Sequence, residues 1–311
     1  MANLSDRTYT SQQDLNLMLK LIATVRPAER IGDYPGPADL RELLALAEVR
    51  QNTRLWFDAA GSLKLFALVD HYCNLLFELD PALATPNLEQ EIIDWGVACI
   101  RRMSAADDEV QSLDASCRAE DSWRLAFLER HGFLKQESCS VGMQRSLAEP
   151  IPAPQLPPGF SIRPVRGEEE VQALVELHRA AFDSTSMTDE ERLAMMRGPD
   201  YERELDLVVV APDGRLAAYC VCTISAEENQ RSGRKDGYTD PVATHPDFQK
   251  LGLGKALLCA GMSLLKARGA ETAVLGTSSE NIAMQKTALA VGFQVTSTKI
   301  WFSKPVPRAE N

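Results

Sequence analysis

Apolar and polar positions in the second half of the chain switch between a period of two and a period of nearly four. The first pattern predicts strands and the second predicts amphipathic helices. The predicted elements are, in order, a strand at 160–165, a helix at 167–182, a helix after Thr188, a strand hairpin at 205–224, a strand at 236–246, a helix ending near Arg268, a strand at 272–277, a helix ending near Gly292 and a strand at 293–303. This order predicts a mixed α/β fold with a mixed sheet.

Two of these helices have recognisable start signals. Thr188 precedes Glu191 by three residues, which is the spacing of a capping box, where each side chain satisfies a backbone N–H of the other residue. Ser278 or Ser279 is the predicted N-cap of the last helix. Gly292 is expected to end that helix.

A proline-rich stretch, "AEPIPAPQLPPGF" at 148–160, interrupts the pattern. Its five prolines oppose regular helix and favour an extended, semi-rigid connector. We therefore expect a first domain at 1–147, a linker at 148–159 and a second domain at 160–311.

The first half resembles a divergent copy of the second. The segment 55–68 (LWFDAAGSLKLFAL) parallels 207–220, and 119–133 (AEDSWRLAFLERHGF) parallels 279–293. Matching glycines in the two pairs are separated by 153 and 160 residues. Generic strand–turn and helix–Gly-Phe coincidences are the alternative. The better interpretation is an internal duplication, which predicts two tandem units of one fold.

Composition narrows the possible partners. The chain has 311 residues, 45% of them hydrophobic, and a net charge of −11, which argues against a nucleic acid or an anionic membrane surface. The N-terminus has no apolar secretory signal, and no run of about 18 apolar residues predicts a membrane span. The seven cysteines form no disulfide framework, so we expect a reduced, cytoplasmic protein. Cys220 and Cys222 share one strand face; a metal clip is the alternative to a core role, and no metal site is predicted.

The stretch "QKLGLGK", at 249–255, follows a predicted strand and opens a helix. Glycine bares the backbone N–H groups, and a helix N-terminus adds unpaired donors and partial positive charge, which together favour a phosphate ligand. The spacing fits neither a P-loop, because Ala256 follows the lysine, nor a dinucleotide fingerprint, because Leu257 stands where a third glycine is needed. A purely structural turn is the alternative.

The Q-x-x-G-x-G at 249–254 and the later "NIAMQKTALAVGF" at 281–293 together resemble the coenzyme A loop and the following helix of the GNAT acetyltransferase family. The match covers about 160–304. With the first half counted as a degenerate repeat, the whole chain is similar to tandem-GNAT proteins, a group that includes the mycothiol synthases.

The resemblance implies acetyl-CoA as the cofactor. Its pyrophosphate would be held by backbone amides of Gln249, Lys250, Leu251, Gly252, Leu253, Gly254 and Lys255. Its pantetheine arm would pair with the backbone of Val242, Ala243 and Thr244. Asn281 would contact that arm or a bound water, or would serve only as a helix cap.

The resemblance also implies direct acetyl transfer to an amine, but both usual acid/base positions differ. The family's glutamate, eleven residues before the loop, is Tyr238 here. Tyr238 or Asp240, expected on the same strand face, is the candidate base acting through water; each is alternatively an ordinary strand residue. The usual tyrosine acid is Ala288, which leaves Tyr219, Tyr238 or water. We expect a structural role for His245.

The first half lacks such a loop, and Glu89 and Glu91 place negative charge at the matching corner. We therefore expect a first domain that binds no coenzyme A and a second domain that transfers acetyl groups from acetyl-CoA to a small-molecule amine. A non-catalytic coenzyme A-binding regulatory or scaffold protein is the alternative. The chain is expected to be a monomer or a homodimer.

Overall fold

The computed structural model describes residues 4–103, 111–185 and 187–307. The chain divides into two compact units, Met1–Cys139 with Thr298–Asn311, and Ser140–Ser297. The sequence assigned 298–311 to the second domain and 148–159 to a linker, whereas the contacts group 298–311 with the first unit and 148–159 with the second. The cause is the long last strand, whose final eight residues pair with a strand of the first unit.

The first unit has strands and helices in the order β1 (Ser5–Thr8), α1 (Gln12–Val25), α2 (Pro37–Leu43), α3 (Ala47–Gln51), β2 (Thr53–Phe57), β3 (Leu63–Val69), β4 (Leu75–Leu79), α4 (Pro86–Met103), β5 (Gln111–Arg118) and α5 (Ser122–Arg130). Strands β1 to β4 form an antiparallel sheet in chain order. Alternation along β3 places Phe66 and Leu68 in the core under α1, and Leu65 and Ala67 in the core under α4. Because both faces are covered, the strand is apolar at every position except Lys64 rather than alternating.

The chain continues with β6 (Leu134–Ser146), β7 (Ser161–Pro164), α6 (Val171–Phe182), α7 (Asp189–Met196), β8 (Asp206–Val210), β9 (Leu216–Thr223), α8 (Ala226–Ser232), β10 (Asp236–Thr244), α9 (Leu253–Ala267), β11 (Thr272–Ser278), α10 (Ile282–Leu289) and β12 (Gln294–Val306). The second unit contains β7 to α10, with β6 from Ser140 onward and β12 as far as Ser297. Within the second unit the strand order is β6-β11-β10-β9-β8-β7. Only the β10–β11 pair in this series is parallel. The mixed α/β prediction is therefore confirmed.

Both sheet faces of the second unit are also covered. Tyr219 and Val221 of β9 pack with Leu174 of α6. Their neighbours Cys220 and Cys222 point to the other face, under α9. The predicted shared face of the two cysteines is thus confirmed.

The duplication is visible in local geometry as well as in element order. Arg7 of β1 binds Asp14 of α1 through both guanidinium nitrogens, with one contact of 2.8 Å. Arg163 of β7 binds Glu170, at the start of α6, in the same way, with contacts of 2.9 and 2.5 Å. Arg163 lies 156 residues after Arg7, and Glu170 lies 156 residues after Asp14.

The helix starts were predicted with mixed success. The Thr188 capping box is confirmed, since its side chain accepts from the N–H of Glu191. The prediction of Ser278 or Ser279 as the cap of α10 is wrong, because Asn281 Oδ1 accepts from the N–H of Met284 at 3.0 Å. Ser278 instead accepts from the N–H of Glu280 in the turn before it.

Helix α8 was not predicted. It is short and mostly polar, so it carries no apolar periodicity. Its start signal was available, because Ser225 lies three residues before Glu228 and accepts a hydrogen bond from the N–H of that residue. Across 4–103, 111–185 and 187–307, no helix combines the length and hydropathy that a membrane span requires.

Candidate functional site

Strands β10 and β11 part from each other within the second unit. They pair at three positions, and the last of these joins Tyr238 to Val274. Strand β10 meanwhile stays paired with β9 as far as Thr244. The parting therefore opens one edge of β10 while the other edge remains fixed to the sheet.

A bulge in β10 accompanies the parting. The register with β9 shifts between Thr239 and Val242, so Asp240 and Pro241 contribute one extra residue. The expectation that Asp240 shares a face with Tyr238 assumes strict alternation, which the bulge interrupts after Thr239. Asp240 Oδ2 instead accepts from the N–H of Gly276 on β11 at 2.9 Å. Its carboxylate thus lies inside the opening between the two strands.

The backbone of Val242, Ala243 and Thr244 follows the bulge. These residues pair with Cys220, Tyr219 and Ala218 of β9, in that order. Within the described residues, β11 does not pair with any of the three. Their β11-facing edge is available to an extended ligand that adds as a strand.

The glycine loop, defined as residues 249–255, joins this strand to helix α9. Gly252 has a φ of 79°, and no atom lies within 4 Å of where its Cβ would stand. Lys250 also has a positive φ, of 62°. None of the described residues accepts a hydrogen bond from the backbone N–H groups of 250–255. Six consecutive amides therefore converge at a helix N-terminus with open space before them.

The loop side chains leave this space accessible. Gln249, Lys250 and Lys255 are exposed, and Leu251 is 42% exposed. The two lysines add positive charge beside the amides. The arrangement of donors, dipole and cations fits a diphosphate.

Helix α9 is held against the sheet by close packing. A Cβ on Gly261 would lie 2.6 Å from the Cys222 sulfur, so only glycine fits there without movement. The Cys220 and Cys222 sulfurs are 3.6 Å apart, and both thiols are free and buried. Their mutual hydrogen bond, followed by burial, raises the pKa of Cys220 well above its usual value. A protonated thiol pair in the core explains these residues; among the described residues no cluster of metal ligands occurs.

The first unit has a corner at the same place in its fold, defined as residues 80–89. Both corners open with a side-chain cap on a short 3₁₀ turn: Asp80 accepts from the N–H of Ala82, and His245 from the N–H of Asp247. The side chain of His245, for which we expected a structural role, therefore caps this turn. From there the corners diverge, because two residues separate the turn from α4, whereas four separate it from α9.

The start of α4 also has fewer free donors. Pro86 has no N–H, and the Thr85 side chain accepts from the N–H of Leu88 at 3.3 Å. Glu89 is buried and accepts from Arg130 at 3.0 Å. Glu91 accepts from the Trp56 indole N–H at 2.8 Å. The first corner is therefore capped by its own side chains.

A polar pair lies on the α6 face of the second unit. His178 Nδ1 is 2.6 Å from the Tyr219 hydroxyl, which makes Tyr219 less available as a free acid. Burial, aided by the charge of Arg192, lowers the pKa of His178 and so favours the neutral ring. A narrow cavity here is lined by Leu174, His178, Met187, Arg192, Met195, Tyr219 and Pro241. It reaches the bulge of β10 through Pro241.

Two further site positions are now defined. The Tyr238 hydroxyl donates to Glu228 Oε2 at 3.1 Å, and sequence reasoning missed Glu228 because α8 was missed. Ala288 is fully buried in α10, and its methyl group has no proton to donate. Asn281, at the start of the same helix, uses its Oδ1 as the cap of that helix.

Comparisons with known proteins agree with this geometry. The sequence profile described as "Acetyltransferase (GNAT) family" matches residues 171–293. A mycothiol acetyltransferase of Nocardioides sp. is 25% identical over 285 residues, covering 85% of this chain and 89% of that protein. A mycothiol acetyltransferase of Saccharomonospora viridis is 25% identical over 181 residues, covering 57% and 59%. One of Sanguibacter keddieii is 28% identical over 164 residues, covering 51% of each. In these last two matches the chain spans roughly half to three fifths of the relative's length.

Solved structures resemble the chain over its whole length. A GCN5-related N-acetyltransferase from Sphaerobacter thermophilus superposes with a TM-score of 0.72 at 21% identity, covering 99% of this chain and 98% of that one. A tandem GNAT protein from the clavulanic acid biosynthesis pathway gives 0.70 at 14% identity, with full coverage of both chains. At these identities the likeness establishes the fold alone. Residues 171–293 thus form a domain of the acetyltransferase (GNAT) family, within a chain that has the fold of a tandem GNAT protein.

Proposed function

We propose that the protein is an N-acetyltransferase that transfers an acetyl group from acetyl-CoA to the amine of a small molecule. The observation that carries this proposal is the run of six amides at 250–255, which have no acceptor among the described residues and in front of which Gly252 leaves open space. Each hydrogen bond to a charged group contributes about 1.5–3 kcal/mol. A diphosphate that engages only three of these amides would gain enough to anchor the cofactor.

The remaining contacts follow the path of the chain. The open edge of β10 at Val242, Ala243 and Thr244 is assigned to the amide groups of the pantetheine arm. Asn281 is assigned to the same arm through its side-chain NH₂, because its Oδ1 is engaged as the helix cap. The relatives named mycothiol acetyltransferase support a small-molecule acceptor.

Acetyl-CoA supplies an acetyl group activated as a thioester. The chain's own contribution is to hold that group beside the acceptor, and positioning of two reactants lowers a barrier by several kcal/mol. A backbone N–H on β10 near the bulge would stabilise the negative charge that develops on the carbonyl oxygen. Tyr238 and Asp240 flank the opening of the strands and are the two candidate groups for removal of the amine proton, directly or through water.

One experiment tests the proposal in two stages. Titration calorimetry with acetyl-CoA and the full-length protein should give one site per chain. A panel of small primary amines, including amino sugars, polyamines and the acceptor of the named relatives, should then contain at least one that is acetylated. Binding without acetylation of any amine would favour the regulatory alternative, and absence of binding would refute the proposal altogether.

A further inference from the structure

Glu228 is an unusual residue in α8. It is the one buried residue of that seven-residue helix, with 6% of its surface exposed. Burying a carboxylate is costly unless it is paired or hydrogen-bonded. Its Oε2 accepts from the Tyr238 hydroxyl at 3.1 Å. A polar surface helix thus directs one carboxylate inward, onto one phenol of β10.

The position of that phenol links the pair to the opening. Tyr238 forms the last pair between β10 and β11, with Val274, and the strands separate immediately after it. The bulge begins at the next residue, Thr239, whose hydroxyl donates to the Val274 carbonyl at 3.2 Å. The Tyr238–Glu228 pair therefore lies at the point where the two strands begin to part.

A phenol by itself is a weak proton acceptor at neutral pH, because it is already protonated. It can take a proton from an amine only as it passes its own proton to a stronger acceptor. The carboxylate of Glu228 is hydrogen-bonded to that phenol and is placed to receive it. Tyr238 thus relays the proton from the amine, and Glu228 is the base that receives it.

We propose that Glu228 is the terminal proton acceptor of the reaction and acts through Tyr238; this inference rests on the proposed acetyltransferase function. As the amine nitrogen bonds to the acetyl carbon, one N–H proton passes to the Tyr238 oxygen while the Tyr238 proton passes to Glu228 Oε2. The carbon–sulfur bond of acetyl-CoA breaks with its electron pair on sulfur, and the thiolate takes a proton from solvent. Glu228 later releases its proton to water, which restores the starting state.

Asp240 offers a different route, and the geometry separates the two. Its Oδ2 is engaged by the Gly276 N–H and lies beyond the bulge. We therefore assign proton removal to the pair, and Asp240 to holding the mouth of the opening.

Steady-state kinetics with the best amine of the panel tests the assignment. Glu228→Gln keeps a hydrogen-bond partner for Tyr238 but accepts no proton, and Tyr238→Phe breaks the link. Each should lower kcat about 100-fold, the usual scale for loss of general base catalysis, with the KM for acetyl-CoA unchanged. Because the two residues act as a unit, the double variant should lose no more than either single variant.

Two further variants separate a proton-transfer role from a structural one. Glu228→Ala should recover at least about tenfold in kcat when formate is added, since a small carboxylate can replace the missing base. Glu227→Gln is the matched control: Glu227 is the preceding residue of α8 and pairs with Arg231 at the surface, so it should retain wild-type kcat. Thermal unfolding of each variant confirms that it folds.

The possible outcomes are distinct. A wild-type protein that binds acetyl-CoA but acetylates no amine defeats the proposed function and this inference with it. An active wild type whose Glu228→Gln variant is equally active refutes the inference alone. Losses that multiply in the double variant, a lack of formate rescue, or a kcat that Asp240→Asn lowers and Glu228→Gln does not, would also refute it.

Discussion

Two corners of the molecule begin alike and end differently. One is the first corner, at residues 80–89, and the other is the glycine loop with its preceding turn, at 245–255. Asp80 and His245 cap equivalent 3₁₀ turns in the same way. After the turn, the first unit enters α4 within two residues and satisfies its N-terminus with Thr85. In the second unit four residues separate the turn from α9, and six amides have no acceptor in the part of the chain that the structure describes.

The comparison separates what the fold requires from what a ligand requires. Capped turns, the strand–helix ion pairs and the Gly-Phe helix ends occur in both units, so they serve folding. Exposed donors at a helix start are satisfied by water, so a run of six of them adds nothing to folding. The first corner has a shorter run of such donors, because Pro86 has no N–H and Thr85 accepts from the N–H of Leu88. The longer run in the second corner is the pattern expected of an anion site.

The largest expected effect comes from giving the second unit the corner of the first. Replacing residues 249–252 by Ala-Thr shortens the loop to two residues and removes the Gly252 conformation. At least two amide–phosphate hydrogen bonds would be lost, at about 1.5–3 kcal/mol each, so acetyl-CoA affinity should fall at least about 100-fold. Calorimetry measures the affinity.

The control for this exchange is the reverse change in the first unit. Inserting Gln-Lys-Leu-Gly in place of Ala84 and Thr85 should leave acetyl-CoA binding at one site per chain, because Glu89 and Glu91 oppose an anion there. If the shortened second loop still bound acetyl-CoA normally, the cofactor would have to be held by other parts of the chain.

A second, smaller effect isolates the backbone conformation of one glycine. Gly252 and Gly269 flank α9, with φ values of 79° and 90°, and a Cβ on either would meet no atom within 4 Å. Alanine in this region costs about 1–2 kcal/mol at either position. Only Gly252→Ala places a methyl group before the free amides, so it alone should weaken acetyl-CoA binding, by about tenfold, since one such bond is worth about 1.5 kcal/mol.

Chemical denaturation shows whether the two variants lose similar stability, and calorimetry shows whether they differ in binding. If both variants lost the same acetyl-CoA affinity, reduced stability of the second unit would explain the loss, and Gly252 would have no separate role in binding the ligand.

Much of the second unit was predictable because its signals are local. The capping box at Thr188, the shared face of Cys220 and Cys222 and the order of strands and helices each depend on residues near one another in sequence. The loop at 249–255 was also predictable as the start of a helix, since its glycines directly precede the apolar run of α9.

The remaining features depend on contacts that no local pattern records. Nothing in the alternation of β12 indicates that its end pairs with β5 of the first unit. The bulge at Asp240 and Pro241 interrupts the uniform alternation on which the prediction of a shared face for Tyr238 and Asp240 depended. Glu228 lies in a helix too short for periodicity, and its contact with Tyr238 appears only after the strand and the helix are placed.

A third comparison concerns the ion pairs Arg7–Asp14 and Arg163–Glu170. Hydrogen bonds from the arginines hold the pKa of Asp14 at about 2 and that of Glu170 below its usual value. Asp14→Asn and Glu170→Gln should each destabilise their own unit by about 1–2 kcal/mol at pH 7, a range that allows for solvent screening of the partly exposed arginines.

The pH dependence of these variants follows from the direction of the shifts. A carboxyl group with a depressed folded pKa stabilises the protein above its unfolded pKa, near 4, and loses that contribution as the pH falls toward the folded value. The difference between wild type and Asp14→Asn should therefore shrink from pH 7 to pH 3. Urea unfolding measures this difference in stability, and hydrogen exchange at α1 and α6 assigns each transition to its unit. A difference independent of pH would mean that packing, not charge, explains the loss.

The smallest effect distinguishes the two roles of Asn281. Asp121 caps α5 by accepting from the N–H of Arg124, as Asn281 caps α10, so Asn281→Asp gives the second unit the cap of the first. Asparagine and aspartate cap equally well, and stability should stay within about 0.5 kcal/mol of wild type. The side-chain NH₂ is lost, however, and one neutral hydrogen bond of about 1 kcal/mol corresponds to an acetyl-CoA affinity about fivefold weaker. Asn281→Ala should show the same loss of affinity together with about 1 kcal/mol of lost stability. Unchanged affinity in both variants would assign Asn281 to the cap alone, and the start of α10 would then join the features that both units keep for folding.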